Sequence, residues 1–145
     1  MQEQNLKNHS RLVPLYHYVT YLLILGALKG SVVKLIRSYQ TGLTGLLVPA
    51  VLVMLSAGLM LTAFFARAFA LKAQDRAIRA EENLRCFSLT GKLLDSKLTT
   101  QQVIALRFAP DTEFIDLARK AVAENLSPRQ IKEQIKNWKA DYYRV

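Results

Sequence analysis

Residues 43–65 read LTGLLVPAVLVMLSAGLMLTAFF. They lie inside a run of 29 residues, 38–66, that carries no charged side chain. About 20 apolar residues suffice for a helix to cross the hydrocarbon core of a bilayer. A charge-free run of this length is hard to account for as the core helix of a soluble domain. The chain then turns polar at residues 67–85, RAFALKAQDRAIRAEENLR. That boundary predicts an integral membrane protein with a charged region outside the lipid.

Upstream, residues 12–28, LVPLYHYVTYLLILGAL, form a second apolar run after Arg11. Lys29, Lys34 and Arg37 follow near its far end, where long side chains can snorkel to the interface. The run is too long, and too soon followed by another span, for a cleaved signal peptide. A re-entrant or interfacial helix is the competing reading. Two spans with a short connection make an antiparallel hairpin. The expected organisation is an N-terminal cytoplasmic arm at 1–11, transmembrane helices at 12–36 and 43–66, and a periplasmic connection at 37–42. A juxtamembrane helix at 67–87, a linker at 88–98 and a cytoplasmic helical module at 99–145 complete an all-α chain.

Lys/Arg residues on both sides of the hairpin set its orientation. Lys7 and Arg11 precede it, and Arg67, Lys72, Arg76, Arg79 and Arg85 follow it. The positive-inside rule then places both termini in the cytoplasm, the inner membrane of a bacterium being the expected location. Tyr16, Tyr18 and Tyr21 fall at the same interface as Phe64, Phe65 and Phe69, an aromatic band. The chain's formal charge is +9, with twenty Lys/Arg against eleven Asp/Glu. In residues 66–145 the signs are mixed, fifteen basic against ten acidic, which argues against nucleic acid as a partner. A single cysteine, Cys86, excludes an intrachain disulfide framework.

Alternating steps of three and four from Ser56 pass through Leu59, Ala63, Ala66, Ala70, Ala73, Ala77, Ala80, Leu84 and Phe87. Small residues at that spacing let two helix backbones approach closely. Alanine also promotes helix on a solvated face. The sustained period favours a packing seam, its partner an identical chain, another protein or the folded-back tail. Asp75→Arg79 and Glu81→Arg85 are ordered as favourable i,i+4 pairs. Gly26 and Gly30 add a GxxxG spacing to the first span.

Three short helices are expected in the tail. Thr99 and Gln102 form a capping-box pattern, Pro110 and Asp111 open a second helix, and Ser127, Pro128 and Gln130 open a third. Gly91 is the expected hinge of the linker. The expected core is Val103, Ile104, Leu106, Phe108, Phe114, Leu117, Val122, Ile131, Ile135 and Trp138. Trp138, Tyr142, Tyr143 and Arg144 are also candidate partner contacts, since aromatic–Arg clusters favour interfaces.

Sites of chemistry are few. His9 and His17 are the only histidines, and no histidine lies on the second span to complete a haem clamp. No nucleophile elbow, phosphate-cradling loop or Walker pattern is present. No catalytic residue, no metal and no cofactor is expected. Asn8, His9, Arg11 and His17 are expected to form a polar cluster at the cytoplasmic interface. The segment LSPRQIKEQIKNW resembles the opening of a helix-turn-helix, but seven residues after Trp138 leave no room for a recognition helix.

The stretches QNLKNHSRLVPLYHYV (4–19), ALKAQDRAIRAEENLR (70–85), TTQQVIALRFAPD (99–111) and IKEQIKNWKADYYRV (131–145) resemble an uncharacterised family of small bacterial two-span membrane proteins. Its marks are an N-terminal NHxRxxPLxH block and a C-terminal IKNWxxDYxRV block. The resemblance extends along essentially the whole chain. It implies an inner-membrane protein in which Asn8, His9, Arg11, Pro14 and His17 act as a unit, and it brings no established activity.

Three functions compete. The first is a non-catalytic accessory or scaffold subunit, packing the seam Ala63, Ala66, Ala70, Ala73, Ala77 and Ala80 against another membrane subunit or a second copy. The second is a protein that binds anionic lipid through Arg67, Lys72, Arg76 and Arg79, each worth about 1 kcal/mol near the surface. The third is a small redox subunit that carries a cofactor on His9 or His17.

Overall fold

The computed structural model describes residues 12–42 and 45–142. Among them the regular structure is entirely helical, as the sequence predicts, with five α-helices and no strand. After a wide opening turn at Leu15–Thr20 come α1 (Tyr21–Gln40) and α2 (Leu47–Thr90). The shorter α3 (Thr100–Leu106), α4 (Asp111–Ala123) and α5 (Pro128–Gln134) follow. Leu15–Gln40 and Leu47–Thr90 are each long and apolar enough to cross a membrane. The chain divides into two units, with the boundary between Phe69 and Ala70 inside α2.

In residues 12–69 the inward face of the first helix is read directly from burial. His17, Tyr21, Ile24, Leu28, Ser31, Leu35 and Ser38 are buried or half-buried, at steps of four and three. On α2 the matching series is Pro49, Val53, Ser56, Met60, Ala63 and Arg67. The most enclosed members are Ile24, Ser31, Ser56 and Pro49, mostly small or compact side chains that let helices approach. The Tyr16 hydroxyl donates to the Ala63 carbonyl across this hairpin. The outward faces, with Leu22, Leu23, Leu47, Met54 and Phe64, stand exposed. Pro49 falls in the first turn of α2, where a missing amide costs no helical bond.

The α2 helix runs past the apolar segment and ends at Gly91, whose φ of +73° suits the left-handed stop of a helix. The Gly91 amide donates to the Phe87 carbonyl at 2.7 Å. In residues 70–142, α3 and α5 each begin with a complete capping box, Thr99 with Gln102 and Ser127 with Gln130. Asn125, at φ +48°, turns the chain after α4. Val103, Leu106, Phe108, Phe114 and Ile131 are almost fully enclosed, and Leu117 is buried. Ile104, Val122, Ile135 and Trp138 are half-buried. Leu98, Ala105, Ala109, Ala118, Ala121, Leu126 and Cys86 complete the core. Cys86 is its contribution from α2.

Candidate functional site

The side of α2 that meets the small module is set by four-residue spacing. Ile78, Glu82 and Cys86 are buried, and Gln74, Asp75, Arg79, Asn83 and Arg85 beside them are half-buried. One helix stripe holds these residues. The linker is tied to it by the Leu94 amide donating to Asn83 Oδ1 at 3.2 Å. Arg79 donates to Thr100 Oγ1 at 3.0 Å, at the start of α3.

Arg85 is the centre of this junction. Its Nη1 lies 3.0 Å from Glu82 Oε2, its Nη2 2.6 Å from Asp111 Oδ1 and 2.8 Å from the Ala109 carbonyl. Its guanidinium sits 4.3 Å over the Phe114 ring. Glu82 is only 7% exposed, so its charge is held by this guanidinium. The i,i+4 pairs expected on α2 are replaced: Arg85 turns to Glu82 and Asp111, and Arg79 turns to Thr100. Partners recruited by tertiary packing outweigh a surface pair worth about 0.2–0.5 kcal/mol.

A buried cation, Arg107, ends α3 and pairs with Asp141 at 3.0 Å. Burial pulls its pKa below the ordinary arginine value, while Asp141, Glu82 and Asp75 push it back. Nearby, Phe108 and Trp138 stack with centroids 4.6 Å apart. The Lys139 amide donates to the Phe108 carbonyl at 2.8 Å, fastening the segment after α5 to the core. Glu113, in the first turn of α4, accepts from the Lys136 amide at 2.9 Å and from the Asn137 amide and side chain at 3.1 and 2.7 Å. Those donors hold its carboxyl below the ordinary value, the Lys136 amide most of all. These charges work as struts: Arg85, Arg107 and Glu113 are each engaged by a partner far off in the sequence, and Glu82 by Arg85 one turn away.

The expected seam divides. Ser56 is buried and Ala63 half-buried in the hairpin, and Ala70 is half-buried, while Ala66, Ala73, Ala77 and Ala80 are exposed. A straight helix drifts about 20° per heptad against a 3.5-residue repeat, so the stripe rotates off the hairpin face as it runs. At about 100° per residue it comes to lie opposite Ile78, Glu82 and Cys86. The tail module therefore covers one side of α2 and leaves the stripe on the other side open. Leu84 and Phe87 continue it, 65% and 52% exposed.

A family model described as "Family of unknown function (DUF6526)" matches residues 1–145. The chain belongs to that family. Neither curated proteins nor solved structures yielded a match.

Of the polar cluster expected at the start of this family member, Asn8, His9 and Arg11 lie outside the described residues. His17 is half-buried, and its Nδ1 is 3.0 Å from both the amide and the carbonyl of Val13. It thus closes the opening turn. Among the headgroup candidates, Lys72 and Arg76 are exposed, Arg67 is half-buried, and Arg79 is engaged with Thr100. Among the partner-contact candidates, Trp138 stacks on Phe108 and Tyr142 is exposed, while Tyr143 and Arg144 lie outside the described residues. Among the described residues no group of three His, Cys, Asp or Glu is placed to hold a metal ion.

A groove of about 520 Å³ opens beside Cys86, between the end of α2, the linker and α4. Leu93, Leu98, Ile115, Ala118 and Val122 line it, with Lys92, Asp95 and Arg119 at its edge. The buried charges Glu82 and Arg107 are not among the residues singled out from the sequence, and Arg85 was expected to pair with Glu81. The legible signal was Ile78 and Cys86, two apolar residues eight apart that flank Glu82 on one stripe.

Proposed function

We propose that this chain is a non-catalytic accessory or scaffold subunit of a larger assembly in the bacterial inner membrane. The hairpin anchors it, both termini are cytoplasmic, and α2 offers a helix-packing face beyond the lipid. One observation carries the reading: the heptad-spaced stripe Ala66, Ala73, Ala77, Ala80, Leu84 and Phe87 is exposed, on the side of α2 away from the module. Leu84 and Phe87, large apolar side chains left open at the end of such a row, mark an interaction surface. The saturated ion pairs of the junction support a structural role for the tail's charges.

The test is recovery of the intact assembly after gentle detergent extraction. Ala73→Leu forces extra volume into a close contact and typically costs about 1–3 kcal/mol. Lys72→Leu, exposed and off the stripe, is the control. Recovery falls for the first and holds for the second. Equal recovery for both overturns the reading.

The exposed Lys72 and Arg76 favour anionic-lipid binding as a second reading. Under it, substituting both by Gln lowers retention on anionic vesicles and leaves subunit recovery unchanged.

A further inference from the structure

We infer that the open stripe of α2 takes the same stripe of a second copy of this chain, as a parallel two-helix coiled coil outside the lipid. The inference rests on the accessory-subunit reading for its membrane setting and names the partner helix. Alanines alone would say little, since alanine also suits a solvated face. Leu84 and Phe87 change this: they extend the row, and more than half of each side chain is open.

Registered as a coiled coil, Ala70, Ala77 and Leu84 take one core position of the heptad and Ala73, Ala80 and Phe87 the other. The flanking positions then carry charge. Arg76 borders the stripe on one side and Glu81 on the other, five residues further on, and both are exposed. In a parallel pair, a residue at the first flank of one helix meets the residue five further along at the opposite flank of its partner. Arg76 of each copy therefore meets Glu81 of the other. The pair forms twice, as two-fold symmetry requires. The other flanking residues, Phe69, Gln74, Asn83 and Ser88, are uncharged, so no like charges oppose the pairing.

Orientation follows from the anchor. Two copies inserted in the same sense carry their α2 helices parallel, the arrangement in which Arg76 finds Glu81. An antiparallel pair would lose this match. The run from Ala70 to Phe87 spans about 25 Å at 1.5 Å per residue, some five turns of contact. Small residues at its start admit close backbones, and Leu84 and Phe87 supply apolar area at its end.

The test uses the full-length chain in native membranes, with Cys86→Ala removing the native thiol. Ala80→Cys, in the core of the stripe, is expected to give a disulfide-linked species of twice the chain mass on mild oxidation. Lys72→Cys, exposed and off the stripe, should give less than a tenth as much. Adding Arg76→Glu to Ala80→Cys should lower the yield roughly tenfold, the scale of two surface ion pairs lost and turned repulsive. Adding Glu81→Arg as well should restore it.

Equal yields from Ala80→Cys and Lys72→Cys overturn the pairing as random collision. Failure of the double reversal to restore the yield overturns the parallel register. Crosslinking of Ala80→Cys solely to a different protein overturns the second copy and leaves the accessory-subunit reading standing. No stripe-specific crosslink of any kind overturns both.

Discussion

Residues 12–69 and residues 70–142 share one helix and bury opposite kinds of side chain. The hairpin turns large apolar groups such as Leu22, Met54 and Phe64 outward and encloses Ser31 and Ser56. The module encloses Phe108, Phe114 and Ile131, and adds a carboxylate and two guanidiniums held by named partners. The first arrangement suits a medium as apolar as leucine, where close helix approach rather than hydrophobic burial joins helices. The second suits water, where burying apolar area is the main favourable term. A single helix, α2, supplies residues to both units.

The sharpest way to break this contrast is Phe114→Ala. The side chain is fully enclosed and lies under the Arg85 guanidinium. Its loss should cost about 3–5 kcal/mol, a large share of the stability of so small a module. Limited proteolysis of membranes should show rapid cleavage after residue 90, with residues 12–69 still membrane-retained. Loss of membrane retention together with the module would mean that the two units do not stand independently.

Arg85→Met comes next. It leaves Glu82 buried without its counter-charge and strips the Ala109 carbonyl and Asp111 of a donor. Breaking a buried pair on one side costs about 3 kcal/mol. A second change, Glu82→Leu, should recover much of that loss, since apolar replacement of both partners is often neutral. Thermal melts of the single and double variants in detergent check both statements. An unchanged melt for Arg85→Met would make the junction a surface decoration.

A smaller effect comes with acid. Glu113 has its pKa lowered in the fold, chiefly by the Lys136 amide, from an ordinary value of 4.5. A depressed carboxylate stabilises the fold above its unfolded pKa, and that contribution is lost as pH falls through the folded value. The melting temperature of the module should therefore fall as pH drops below about 4.5, and Glu113→Gln should flatten that part of the profile. The hairpin, with no acidic residue among residues 12–69, should show no such dependence. Parallel acid profiles for wild type and Glu113→Gln would remove this carboxylate from the account.

How far the sequence was legible follows the same division. Hydropathy alone marked both long helices, because a bilayer-length apolar run has few other readings. Local hydrogen-bond patterns marked the starts of α3 and α5, because a capping box is written in four adjacent residues. Ala118 and Ala121 share one helical stripe with Phe114, Leu117 and Val122 and are buried with it, whereas the alanines at 105 and 109 were not separable as core, since alanine suits either face of a helix. The roles of Arg85 and Arg107 were illegible for a different reason. Their partners Asp111 and Asp141 are far off in the sequence, and only tertiary folding brings them near. The stripe was visible as a period, but which half of it would be covered depended on the slow drift of a straight helix against seven-residue spacing.

The smallest expected effect lies in the hairpin. Gly26 and Gly30 have the spacing of a close-packing motif, yet a Cβ built at either meets nothing within 4 Å. The inward face of α1 instead passes through Ile24, Leu28 and Ser31. Within this chain Gly26→Ala and Gly30→Ala should therefore be silent or slightly stabilising, because alanine is the better helix former by about 1 kcal/mol. Ser31→Leu is the contrast, since it pushes volume into an enclosed position. Helix pairing in detergent, read by resistance of the hairpin to thermal aggregation, separates the two. If Gly26→Ala proved as damaging as Ser31→Leu, the glycines would be packing against something outside this chain, and the hairpin would own a second interface on its lipid-facing side.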